Sequence, residues 1–216
     1  MDWMTFPALE LDGLRHGFSL RTADIAREDL DAQLRPSLTA LGLPAANVVE
    51  GEQTHGNSVA FVPQFPLPGA PESLTPAGRI PGVDALVTQL TGVPLVVRVA
   101  DCGPVYFYDP VHRAIAVAHS GRKGTEGNIT AQTIRTMQEK CGTRPEDLIV
   151  QLGPCIRPPH YEVPFAEEIG KQARAAGVVR YHDSLECTAC DLEKYYSYRA
   201  ELGKTGRMWA VLMLEG

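Results

Sequence analysis

The hydrophobic positions fall mainly in short runs bounded by Gly, Pro and Asp, with helical spacing in only three stretches. Residues 93–100, VPLVVRVA, are almost continuously apolar, which predicts a central strand covered on both faces. VYFYD at 105–109 and AIAVAH at 114–119 predict its neighbours, with shorter strands at 84–88 and 148–152 and a last one at 207–214. Residues 6–20 alternate loosely and predict two short strands around Asp12-Gly13. Residues 47–62 predict two more strands flanking His55-Gly56, where the glycine lets the chain turn.

The spacing of Ile25, Leu30, Leu34, Leu38 and Leu41 predicts an amphipathic helix over 24–42. Pro36 is expected to break or restart it, and Gly42 and Pro44 to end it. A second helix is predicted over about 127–140, with Ile134, Met137 and Cys141 on one face. Thr125 or Asn128 serves as its cap and Gly142 as its stop. A third runs over 164–176 with Pro164 in its first turn. The proline-rich stretch 63–82 has no periodicity and predicts a long surface loop. The order of elements lacks regular strand–helix alternation, so the expected fold is α+β, with mixed β-sheets packed with flanking helices, and residues 1–216 as one domain.

With 216 residues and 44% hydrophobic content, the chain can bury a substantial core. A net charge of -6 disfavours a nucleic-acid partner. No apolar run approaches the roughly 20 residues that span a bilayer, so no membrane partner is expected. The N-terminus lacks the basic and apolar regions of a secretory signal, and five cysteines, an odd number, fit reduced thiols; both point to the cytoplasm.

Candidate chemistry centres on His55, Cys102 and His119, each beside a tight turn. One thiolate and two imidazoles suit zinc with a fourth position left open, and copper binds the same donors. The same residues also allow a core cysteine with ordinary histidines, a metal-free cysteine hydrolase with Cys102 as nucleophile and His119 as base, or a zinc-stabilised interaction module. Asp84 and Asp101 are candidates for orienting a ligand or acting as acid or base. Gly121-Arg122-Lys123-Gly124-Thr125 opens onto a helix and offers amides and two cations to an anion, with Arg21 and Arg199 as further phosphate candidates; a solvated basic turn is the plain alternative. Cys187 and Cys190 form a CxxC pair without a second pair, which favours two reduced thiols over a Cys₄ site, and Cys155 reads as a packed turn cysteine.

Taken in order, Gln53-Thr54-His55-Gly56, Asp84–Thr88, ADCGPV, DP, AHSGRKGT, GPCI, Tyr161–Val163, Cys187-Thr188, YSYR and Thr205-Gly206-Arg207 resemble the laccase-domain family, also called the YfiH or polyphenol-oxidase family. The resemblance runs from about His16 to the C-terminus. It implies a zinc ion held by His55, Cys102 and His119, and an α+β, YfiH-like fold. It implies phosphorolysis of adenosine, inosine, guanosine and methylthioadenosine, so that a purine nucleoside and phosphate are the partners, with adenosine deamination as a second activity. The older family label is copper-dependent phenol oxidation, for which six histidines are few. The family's usual Trp-Arg is Arg122-Lys123 here, and lysine keeps the charge without the bidentate fork.

Overall fold

The computed structural model describes residues 2–22, 30–65 and 79–216. Two six-stranded mixed sheets form its centre. The first has the order β1 (Trp3–Met4), β2 (Leu14–Ser19), β12 (Met208–Leu214), β7 (Leu95–Val99), β3 (Val49–Gly51), β5 (Arg79–Ile80). The second has the order β11 (Arg180–Asp183), β10 (Ile149–Leu152), β8 (Gly103–Asp109), β9 (Ala114–Ser120), β6 (Ala85–Thr88), β4 (Val59–Val62). Helix α1 (Leu30–Ala40) covers the outer face of the first sheet, and α3 (Ile129–Cys141) and α4 (Phe165–Ala175) cover that of the second. The expected α+β fold is therefore present as four layers.

Strand periodicity sorts the side chains among these layers. In β12, Met208, Ala210, Leu212 and Leu214 enter the core between the sheets, while Trp209, Val211 and Met213 pack toward α1. In β9, Ile115 and Val117 face the other sheet. Ala114, Ala116 and Ala118 face α3, whose Ile134 and Met137 lie against them. Both faces are covered, which is why these strands read as unbroken apolar runs. The same two-residue period carries Cys102, Asp84 and His119 onto the inner face: they continue the rows of Tyr106 and Tyr108, of Leu86, and of Ile115 and Val117.

Several local expectations change. Residues 7–9 form a 3-10 turn instead of a first hairpin arm, and β2 pairs with β1 and β12. Pro36 lies inside α1 without breaking it; Ser37 Oγ donates to the Gln33 carbonyl at 2.7 Å. Residues 24–29 of that expected helix, including Ile25, lie outside the described residues. So do 66–78 of the expected long loop, whose end forms β5 against β3. The helix expected over about 127–140 is α3, and a short helix, α2 (Arg122–Glu126), precedes it in the basic segment expected as a loop opening onto that helix. They are separated by Asn128, whose φ is 56° and whose side chain accepts from Ala131 N, so Asn128 and not Thr125 caps α3. Strand β11 has no counterpart among the predicted elements: Arg180 and His182 are exposed, so no apolar alternation marks it. The two strands expected around His55 exist, but in different sheets. Among the described residues no helix is long and apolar enough to cross a membrane.

Candidate metal centre and cavity

Two of the passages from the first sheet to the second, at the same end of the sandwich, carry candidate ligands. Residues 52–58 connect β3 to β4, and residues 100–102 connect β7 to β8. His55 lies in the first crossing, Cys102 in the second, and His119 near the end of β9.

Asp84 joins two of these three. Its side chain is fully enclosed. Oδ2 accepts from Thr54 N at 3.0 Å, Thr54 Oγ1 at 3.1 Å and Gly56 N at 2.8 Å. Oδ1 accepts from His55 N at 2.9 Å and lies 2.8 Å from His119 Nδ1. Three consecutive backbone N–H groups thus converge on one carboxylate, which holds His55 at a φ of 63°. Burial pushes the Asp84 carboxyl up, but the bonds from His119, Gly56 and Thr54 outweigh it and hold the group below its usual range. With both oxygens occupied, Asp84 is built to orient His55 and His119.

One ligand atom from each of His55, Cys102 and His119 lies within 4.8 Å of the other two. The imidazole rings of His55 and His119 stand edge to face, 4.8 Å between centroids and 80° between planes. Asp84 engages Nδ1 of His119 and leaves Nε2 for the shared space. Burial pushes the Cys102 thiol up, yet His119 and His55 bring it down to about 6. Burial pushes His119 down, yet Cys102 and Asp84 raise it to about 9. The sulfur is therefore poised as a thiolate, the form that binds metals. Gly121 walls the cluster: a Cβ there would stand 2.6 Å from Cys102 Sγ and 3.7 Å from His55 Cδ2. A soft thiolate, two imidazoles, an oriented ring and a glycine-sized wall fit a metal ion.

Gln53 and Asp101 fix the two crossings. Gln53 Nε2 donates to the Arg98 carbonyl at 2.7 Å and its Oε1 accepts from Arg98 N at 2.8 Å, so the amide extends the β3–β7 pairing by one step. Asp101 has a φ of 87°, uncommon for a residue with a Cβ. Its Oδ1 accepts from Thr188 Oγ1 and its Oδ2 from Arg199 N, each at 2.7 Å, while its carbonyl accepts from Ile156 N at 2.9 Å. Asp101 thereby ties the segment from 188 to 199 to the strand end that carries Cys102.

The cluster opens into a cavity of about 790 Å³. Arg79, Arg98, Arg122, Arg199 and Arg207 line it, with Glu52 and Asp101 as its acidic groups. Tyr161, Phe165 and Tyr198 supply aromatic lining. The Arg199 guanidinium lies 4.7 Å from the Tyr161 ring centroid and that of Arg207 lies 5.7 Å from Tyr198. Arg98 makes a bidentate pair with the fully buried Glu50, at 2.7 and 2.8 Å, and Arg79 approaches the same carboxylate at 3.5 Å.

Of the phosphate candidates from the sequence, Arg122 and Arg199 line this cavity; Lys123 and Arg21 do not. Lys123 is exposed on α2. Arg21 pairs with Glu201 at 2.9 Å and stacks 4.6 Å from the Tyr196 ring, fastening the tail to β2. Asp84 lies behind the histidines and Asp101 at the cavity wall. Sequence reasoning passed over Arg79, Arg98, Tyr161 and Tyr198 as lining residues. Arg98 had one signal, a charge inside an otherwise apolar strand.

Together these features define a four-layer α+β protein with a His-Cys-His cluster, able to hold a metal, at the floor of an arginine-rich cavity. A family model described as multi-copper polyphenol oxidoreductase laccase matches residues 18–172 and 165–215. The chain belongs to this laccase-domain, or YfiH, family. It is 35% identical over 201 residues to a purine nucleoside phosphorylase of Deinococcus radiodurans, covering 81% of this chain and 73% of the relative. It is 30% identical over 204 residues to purine nucleoside phosphorylase YlmD of Geobacillus stearothermophilus, covering 80% and 74%. The crystal structure of YlmD from that organism superposes with a TM-score of 0.87 at 26% identity, over 99% of this chain and 96% of the other. Bacillus licheniformis YfiH shares the fold, with a TM-score of 0.84 at 22% identity over 95% and 94%.

Proposed function

We propose that this chain, acting as one domain in the cytoplasm, is a zinc-dependent purine nucleoside phosphorylase that accepts adenosine, inosine, guanosine and methylthioadenosine, with adenosine deamination as a second activity. The observation that carries this reading is the placement of the His55–Cys102–His119 cluster on the floor of a cavity with five arginines, in a chain whose net charge is -6. The phosphorylase names of relatives at 30–35% identity point the same way. The donors themselves suit zinc or copper, and zinc is preferred because among the described residues no second cluster of metal-ligating side chains accompanies this one. His16 accepts from Phe6 N and His112 pairs with Asp109, so neither extends the cluster toward a multicopper centre.

In phosphorolysis a phosphate oxygen forms a bond to ribose C1′ as the C1′–N9 bond breaks and the purine departs. The cavity arginines hold the phosphate through charge-assisted hydrogen bonds and set its angle of approach. Its negative charge then faces the positive charge developing on the sugar. Tyr161, Phe165 and Tyr198 offer flat apolar surface to the base. A bound zinc supplies Lewis-acid polarisation at the open side of the cluster. Asp84 keeps His55 and His119 facing that side, and Asp101 holds the Arg199 backbone at the cavity wall.

Zinc-replete protein incubated with adenosine and phosphate is expected to yield adenine and ribose 1-phosphate, and without phosphate to yield inosine. Chelation should abolish both and zinc restore them. Absence of adenine and ribose 1-phosphate from zinc-replete protein overturns the phosphorylase reading, and absence of inosine the second activity.

A further inference from the structure

Cys187 and Cys190 lie outside the metal cluster and the cavity lining, in a turn that ends the run from β11. One half of the turn is fixed. Residues 155 and 187 form a parallel bridge, with Cys155 N donating to the Glu186 carbonyl at 3.2 Å and Thr188 N to the Cys155 carbonyl at 3.3 Å. Thr188, fully buried between the two cysteines, donates to Asp101. The other half is open: Cys190 is exposed, while Cys187 is half-buried.

The turn closes through Cys190 N donating to the Cys187 carbonyl at 3.1 Å. Such an i to i+3 turn holds its end Cα atoms within about 7 Å. Disulfides span Cα separations up to about 6.8 Å, so the backbone is close to that range already. The neighbouring Cys187 side chain holds the Cys190 thiol above its ordinary range. Cys155 is a poor competitor, being completely buried beneath the turn.

We propose that Cys187 and Cys190 form a reversible dithiol–disulfide site that reacts with small-molecule disulfides such as oxidised glutathione. The exposed Cys190 thiolate attacks one glutathione sulfur, forming a mixed disulfide and releasing one glutathione thiolate. Cys187, as thiolate, then attacks the Cys190 sulfur; the Cys187–Cys190 bond forms and the second glutathione leaves. The protein loses two electrons, the glutathione disulfide gains them, and the two cysteine protons end on the two released thiols. The thiol contact from Cys187 Sγ to the Arg157 carbonyl, at 3.9 Å, is lost on closure. This site is independent of the metal and phosphorylase reading.

Trypsin places both cysteines in the single peptide Tyr181–Lys194, apart from Cys102, Cys141 and Cys155. After equilibration of the full chain with excess oxidised glutathione, acid quenching and alkylation, that peptide is expected to lack two hydrogens and to carry neither alkyl group nor glutathione. Dithiothreitol should restore two alkylatable thiols. Cys187→Ser should stop at one glutathione on Cys190, and Cys190→Ser should form no bridge in this peptide. Two unreacted thiols in the wild-type peptide, arrest at the mixed disulfide, or a bridge to another peptide would each overturn the proposal.

Discussion

His119 Nδ1 lies 2.8 Å from Asp84 Oδ1, and the same oxygen accepts from His55 N at 2.9 Å. One carboxylate atom thus sets the orientation of one histidine ring and the backbone of another. Because the side chain of Asp84 is enclosed, neither bond competes with solvent.

Asp84→Asn is expected to weaken zinc binding by about 10–100-fold, the usual cost of losing a group that orients a ligand histidine. An amide cannot accept from Thr54, His55, Gly56 and His119 together. Chelator competition on folded variant measures the affinity; an unchanged zinc affinity would remove the orienting role.

Gly121→Ala should displace the Cys102 sulfur, since the added carbon would stand 2.6 Å from it. Strain of this kind costs about 1–3 kcal/mol. Denaturant unfolding is expected to show the loss, together with weaker zinc binding. A variant with wild-type stability and zinc affinity would show that the glycine does not shape the cluster.

Arg122→Met should raise the KM for phosphate by about tenfold or more, as expected for losing a charged hydrogen bond. Lys123→Met should leave it unchanged, because Arg122 lines the cavity and Lys123 does not. Steady-state phosphorolysis with varied phosphate separates the two. The reverse order of effects would return the phosphate site to the outer side of α2.

His16 gives a pH dependence of stability. Burial pushes it down to about 4, below its ordinary value of 6.5, and its Nε2 accepts from Phe6 N at 2.7 Å. Above pH 6.5 it is neutral in both states and its contribution is complete. As pH falls from 6.5 toward 4, the unfolded chain takes up a proton that the folded chain refuses, so stability declines, by up to about 3 kcal/mol. Urea unfolding of wild type and His16→Gln should give curves whose difference changes across this window and is flat above it. A constant difference throughout would count against the buried neutral imidazole.

The apolar pattern alone marked the central strands and most of the helices, because runs such as 95–99 and 208–214 bury both faces and leave little choice of conformation. The sequence also marked His55, Cys102 and His119, since each stands beside a turn within an ordered set of motifs. Local pattern could not reveal β11, whose alternate residues are solvated, or the short helix α2, whose basic residues read as a loop. Which cations face the cavity depends on how the elements pack. Lys123 and Arg122 are adjacent in sequence, but successive helical residues point about 100° apart. Arg79, Arg98 and Arg207 come from segments far apart in the chain and meet only when β5, β7 and the start of β12 are brought into one sheet. The joining of His55 to His119 was likewise settled by packing, because Asp84 reaches both only once the crossing between the sheets folds over the end of β6.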